Sequence, residues 1–159
     1  MIIYESIKSE FMDDVEQGNL LNKIYTNFQS KIGRTSRGEL NSWQNSLRCM
    51  YMVMNDEEIP AYAGIAIEYK VPTSSKRIDF IISGRNEEQG TAVVVELKQW
   101  SQVEKVPQKD GIVKTLLNGG IRETTHPSYQ VLSYTNLIKD FNEVVDKGEV
   151  KLHPCAYLH

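Results

Sequence analysis

Apolar residues first recur at near-helical spacing between about Tyr4 and Phe28, at Ile7, Phe11 and Val15 and then at Leu20, Leu21, Ile24 and Phe28. Gly18-Asn19 is the expected break between two helices. A basic, polar loop follows over 33–38. Ser36 with Glu39 matches the S-x-x-E capping box, which gives Glu39 a task at a helix start. Leu40, Trp43, Leu47, Met50 and Met54 then keep a helical period, with the methionines read as core filling. Residues 55–60 are loop by composition.

The period next changes to two. Residues 64–71 alternate and predict a strand closed by Pro72-Thr73-Ser74-Ser75, in which Glu68 either faces the same site as Asp79 or, the favoured reading, forms the polar face of an outer strand. Residues 77–98 predict a β-hairpin: R-I-D-F-I-I-S-G, a polar turn N-E-E-Q-G, then T-A-V-V-V-E-L-K. Alternation puts Glu96 and Lys98 on one face and Leu97 on the other. The segment 99–126 reads as a long functional or mobile loop, with a turn of helix at Ile112 to Leu117. From His126-Pro127 a helical pattern runs to about Lys147-Gly148, with Pro127 in the first turn. Gln130 and Tyr134, four apart, share a helix face. Residues 150–158 predict a last strand that Pro154 confines to an edge.

Composition narrows the picture. The chain has 159 residues, 40% hydrophobic and 25% charged, as expected of one globular domain with a sizeable core. No apolar run reaches the ~20 residues of a membrane span, and no signal peptide is legible at the N-terminus. Cys49 and Cys155 lack metal-ligand spacing and are read as reduced thiols of a cytoplasmic protein. His126, His153 and His159 share no ligand spacing either. The net charge of −3 does not advertise a nucleic-acid binder. Local base does occur, at Lys31, Arg34, Arg37 and Arg48, and at Lys98, Lys105, Lys109 and Lys114. Either set is equally a solvated face. No G-x-x-x-x-G-K-[ST] loop is present, so no ATP site is expected.

The hairpin carries the candidate chemistry. If Asp79 faces Glu96 and Lys98, two carboxylates and an ammonium converge, which is costly unless a divalent cation such as Mg²⁺ or Mn²⁺ resolves the repulsion. Phosphodiester hydrolysis is the chemistry implied. The bland alternative leaves Asp79 and Glu96 at solvated strand ends with Lys98 as a surface partner. Arg122, Lys114 and Trp100, in the long segment, are the candidate contacts to a nucleic-acid strand.

Asp79, Glu96-x-Lys98 and the helical Q-V-L-S-Y, in that order, resemble the core of the PD-(D/E)XK nuclease superfamily in its RecB-like branch. More narrowly, stretches such as S-K-R-I-D-F-I-I-S-G, V-V-E-L-K-Q-W and P-C-A-Y-L-H look like the N-terminal region of a bacterial family. There, a nuclease-like domain precedes a superfamily-one helicase or ATPase. The resemblance covers roughly Glu39 to Leu158. It implies an α/β, restriction-endonuclease-like core (αβββαβ, a small mixed sheet flanked by helices) over 39–159, with a helical extension, 1–38, packed on it. It further implies a fragment of a longer protein, whose C-terminal helicase or ATPase domain would be a partner alongside DNA. A homodimer is a further partner expectation. By resemblance Asp79, Glu96 and the Leu97 carbonyl hold the metal and Lys98 assists the attacking water. Gln130 and Tyr134 support the site, and Glu39 matches an extra acid on the first core helix. Ile78 stands where the family's name-giving proline would be, and the cysteines of cluster-binding relatives are missing. The competing expectations are a catalytically silent nucleic-acid-binding module on the same fold and a protein-interaction module of the helicase.

Overall fold

A computed structural model describes residues 1–72, 74–117 and 119–159. Thr73, within the turn expected after the first predicted strand, and Asn118, within the long segment, lie outside the described residues. The chain is mixed α/β. Strand β1 (Tyr4–Ile7) leads into helices α1 (Lys8–Glu16), α2 (Leu20–Lys31) and α3 (Arg37–Met54). Strands β2 (Gly64–Lys70), β3 (Arg77–Arg85) and β4 (Gly90–Lys98) follow. Next come the short β5 (Val103–Lys105), β6 (Ile112–Leu117) and β7 (Gly120–Thr125), then α4 (Pro127–Phe141), α5 (Glu143–Asp146) and β8 (Val150–Leu158).

The main sheet has the order β1-β2-β3-β4-β8. Its first four strands are antiparallel, and β8 returns parallel to β4 after α4 has crossed the sheet. Each face carries its own core. On one, Phe11, Ile24, Phe28, Trp43, Met50 and Met54 of α1–α3 pack against Ile65, Ile67, Phe80 and Val95. On the other, Val131, Tyr134 and Ile138 of α4 cover Ile78 and Val94. Burial of such side chains, roughly 1.5–3 kcal/mol each, is what holds the helices to the sheet. Among the described residues no helix is long and apolar enough to cross a membrane.

Three expectations from periodicity are corrected. Tyr4–Ile7 is a strand, not the start of a helix. Its register with β2 (Tyr4 opposite Ile67) satisfies an otherwise bare sheet edge, and Ile7, the first residue of the supposed helical stripe, is exposed while Ile3 is buried. Ile112–Leu117 is also a strand, and the supposed long loop is a three-stranded antiparallel sheet, β5-β6-β7. Val113 and Thr115 alternate inward, Leu117 pairs with Gly120, and Gly119 before it has φ +79°. Finally, the last helix stops at Phe141. Asn142 leaves helical geometry and its side chain accepts from the N–H groups of Val144 and Val145, capping α5 afresh. Pro154 does lie on an edge strand, in register with Val94 of β4.

The main sheet also splits. The β3–β4 ladder ends at Phe80–Val95, although β4 stays paired with β8 as far as Lys98–Leu158 and β3 with β2 as far as Arg77–Lys70. Next to this fork both β2 and β3 lose their alternation. Ile67 joins one core and Tyr69 the other; Phe80 and Ile78 divide the same way. Glu68 absorbs the shift on β2 with φ +54°, a left-handed conformation costing a non-glycine residue about 1–2 kcal/mol. Such local strain concentrates at functional sites.

Candidate active site at the fork of the main sheet

Asp79 sits where β3 and β4 part. Its Oδ2 accepts the Leu97 N–H at 2.7 Å, replacing the ladder bond that the split removed. This is its one hydrogen bond among the described residues, so Oδ1 is open. Burial pushes its pKa up, against the opposing pull of the Leu97 N–H and of Lys98.

Glu96, on β4, is 2% exposed. Its Oε1 accepts from Lys98 Nζ at 2.5 Å and from Gln130 Nε2 at 2.5 Å. The same Gln130 nitrogen lies 2.7 Å from the Tyr134 hydroxyl, one turn along α4. Glu96 Oε2 is buried with no hydrogen-bond partner among the described residues. Burial, with the charge of Asp79 added to it, raises the Glu96 pKa to about 7, and Lys98 only partly opposes this.

The opposite wall of the cleft comes from α3 and β2. Arg77 Nη2 donates to Glu39 Oε1 at 2.5 Å, and its Nη1 lies 3.1 Å from Glu68 Oε2 in an ion pair without hydrogen-bond alignment. The guanidinium stands 5.0 Å from the centre of the Phe28 ring, within cation–π range. Trp43 Nε1 donates to Glu68 Oε1 at 2.7 Å, and Thr35 Oγ1 donates to Glu39 Oε2 at 2.6 Å. Burial lifts the Glu68 pKa to about 7 despite Arg77 and Trp43. Asp79, Lys98, Arg77, Glu68, Glu39 and Trp43 all line one cavity of about 260 Å³. At its rim Ser46 Oγ shares a 3.0 Å hydrogen bond with His159 Nε2, whose backbone N–H donates to the Lys98 carbonyl.

Of the residues expected from sequence, Asp79, Glu96, Lys98, Gln130 and Tyr134 are brought together. Glu39 joins them through Arg77. Its N–H does bond the Ser36 side chain, so the helix cap forms, but its carboxylate turns to the cleft instead of closing the capping box. Glu68 needs correction. It is buried in the cleft, and β2 is an interior strand because β1 lies outside it. Arg122 and Lys114 are not brought together. In the β6–β7 register Thr115 faces Arg122 and Lys114 faces Glu123, so alternation sends the two bases to opposite faces of the small sheet. Trp100 is half-buried in the link between β4 and β5, away from the cavity lining.

Sequence reasoning missed Arg77 and Trp43, and it set aside the reading in which Glu68 faces the site of Asp79. Arg77 precedes Asp79 by two, which was a legible same-face signal. Trp43 lies one helical turn after Glu39. Glu68 had no such signal, because its direction depends on the inverted backbone.

Among the described residues no three His, Cys, Asp or Glu side chains are close enough to form a metal cluster by themselves. What the cleft offers is a pair of carboxylates, each with an open oxygen, one of them buried. That suits Mg²⁺ or Mn²⁺, hard ions commonly held by one or two carboxylates with water completing the shell. Compared with family models, curated proteins and solved structures, the chain finds no match.

Proposed function

We propose that this chain is a Mg²⁺- or Mn²⁺-dependent deoxyribonuclease domain, a hydrolase of phosphodiester bonds with a restriction-endonuclease-like core of the RecB-like kind. The supporting observation is the buried, unpartnered Oε2 of Glu96 beside Asp79. A buried anionic oxygen with no donor costs several kcal/mol, and a cation or a proton is what relieves it.

Asp79 and Glu96 would hold the ion, with the Leu97 carbonyl as a further ligand by the resemblance. The ion would supply Lewis acidity toward a phosphate oxygen. Lys98 brings a fixed positive charge to the same cleft, able to steady a phosphate oxygen or to orient an attacking water. Gln130 and Lys98 occupy Oε1 of Glu96, which leaves Oε2 as its free donor. Tyr134 in turn holds Gln130. The test is cleavage of labelled linear, nicked and single-stranded DNA with Mg²⁺ or Mn²⁺, comparing the wild type with Asp79→Ala and Lys98→Ala. Metal-dependent cutting lost in both variants is the expected result. Cutting that survives both substitutions, or no cutting by the wild type, contradicts the proposal.

One observation favours a second reading, a catalytically silent binding or interaction module attached to a helicase or ATPase. The net charge is −3 and the bases of the small sheet are split between its faces, so no continuous track for a phosphate backbone is formed there. Turnover separates the two readings.

A further inference from the structure

Glu39, Glu68 and Asp79 line the cavity, Glu96 lies buried within the electrostatic reach of Asp79, and the four are not equivalent. Glu39 has one oxygen on Arg77 and the other on Thr35. Glu68 has one oxygen on Trp43 and the other paired with Arg77. Glu68 Oε2 lacks a hydrogen bond but has that ion pair, whereas among the described residues Asp79 and Glu96 each keep an oxygen with neither. A planar guanidinium is well matched to bridging two carboxylates, and the Phe28 ring beneath it limits its freedom to swing away.

We infer that Arg77 is a built-in cation occupying the Glu39–Glu68 half of the cleft, so that the centre takes one divalent ion, at Asp79 and Glu96, and not two. It rests on the reading of the cleft as a metal-dependent hydrolytic site. A second ion would need the very oxygens that the guanidinium holds, and it would have to approach a fixed positive charge inside a cavity of about 260 Å³. In two-metal hydrolases the second ion neutralises charge on the far side of the scissile phosphate. Here Arg77 and Lys98, which line the same cavity, provide the fixed positive charge for that side. Arg77 acts through Glu39 and Glu68 and is a positioning residue.

The test is a calorimetric titration of the chain with Mn²⁺, reading the number of ions bound. The wild type is expected to bind one. Arg77→Met, which removes the charge, is expected to bind two, the second more weakly, and Arg77→Lys, which restores a cation, to return to one. Arg77→Gln serves if Arg77→Met does not fold by circular dichroism, and it too is expected to gain an ion. Adding Glu68→Gln to either charge-removing variant should abolish the second ion. Two ions in the wild type, or one ion in a folded variant without the charge, overturns the assignment of Arg77 and leaves the hydrolase reading standing. No ion in the wild type removes that reading and the inference together.

Discussion

The Glu39–Glu68 side of the cleft and the Asp79–Glu96 side contain the same chemical groups, two carboxylates and a cation, yet they stand in different electrostatic states. On the first side Arg77, Trp43 and Thr35 hydrogen-bond three of the four carboxylate oxygens, and the fourth, Glu68 Oε2, has an ion pair with Arg77 but no hydrogen bond among the described residues. On the second, Lys98 and Gln130 crowd onto a single oxygen of Glu96 and leave its neighbour buried and bare. A closed network of this kind stabilises and orients; an open one is destabilising until something binds. The lesson is that carboxylate identity says little about metal binding. What decides is which oxygens the protein has already satisfied.

The largest effect that separates the two sides is on turnover. Asp79→Ala and Glu96→Gln should each lower metal-dependent cleavage on the order of 10³-fold, the size expected when a charged group acting on the transition state is removed. Glu39→Gln should leave the rate within roughly tenfold by the same reasoning. Single-turnover cleavage of labelled DNA checks both. An equal loss in all three variants would erase the distinction.

Stability should show the opposite ranking. Arg77→Met leaves Glu39 and Glu68 facing each other's charge in a semi-buried site. It should cost about 2–3 kcal/mol in urea unfolding, below the full value for a buried pair because the Arg77 side chain is about one-third exposed. Glu96→Gln should cost less than Arg77→Met, since it gives up the ion pair with Lys98 but also relieves the buried, donorless Oε2.

Proton linkage sharpens the contrast further. Glu68 and Glu96 both titrate near 7 when folded, against an ordinary value of 4.5. Between these values the folded chain keeps protons that the unfolded chain has released, so stability falls as pH rises through that window. A shift of this size corresponds to roughly 3–4 kcal/mol for one group, fully present below the lower value and lost above the higher. Urea unfolding at pH ~5 and ~8 should show the decline. Glu68→Gln should remove one share of it. Saturating Mg²⁺ should remove the shares of Glu96 and Asp79 and leave that of Glu68, because the ion takes the place of the proton on its own ligands. A stability that rises with pH over this window would contradict the assignment.

Much of the architecture was legible in the residues. The hairpin of β3 and β4 follows from two β-branched runs around N-E-E-Q, α3 from Ser36 and its apolar stripe, and α4 from Pro127. Strand alternation put Glu96 with Lys98 and i, i+4 spacing put Gln130 with Tyr134, but their meeting with one another and with Asp79 was an expectation of the resemblance, since spacing within an element does not say how elements pack. The failures have physical causes. Ile7, Phe11 and Val15 mimic a helix face, but pairing with β2 outweighs that local period at Tyr4–Ile7. The short apolar run Ile112–Leu117 fits either element, and Asn118-Gly119 after it was a hairpin signal that outranked the helical reading. For Glu68 the pattern offered both directions and favoured the wrong one, since a left-handed φ within a strand reverses the side chain without any mark in the sequence.

The smallest expected effect concerns the small sheet. Lys114→Ala and Arg122→Ala should each weaken DNA binding less than about threefold and combine additively, because side chains on opposite faces share no partner. Fluorescence anisotropy with a labelled duplex measures this. A large, non-additive loss would instead place both bases in one contact surface.

The decisive comparison is thermal unfolding with and without Mn²⁺ for the wild type, Glu96→Gln and Glu39→Gln. Binding to the folded state alone raises the transition temperature, by an amount equivalent to about 2.7 kcal/mol at a hundredfold excess over Kd. The open oxygens of Asp79 and Glu96 call for a rise in the wild type and in Glu39→Gln, and none in Glu96→Gln. The same rise in all three proteins, or its loss only in Glu39→Gln, would put the ion on the wrong side of the cleft.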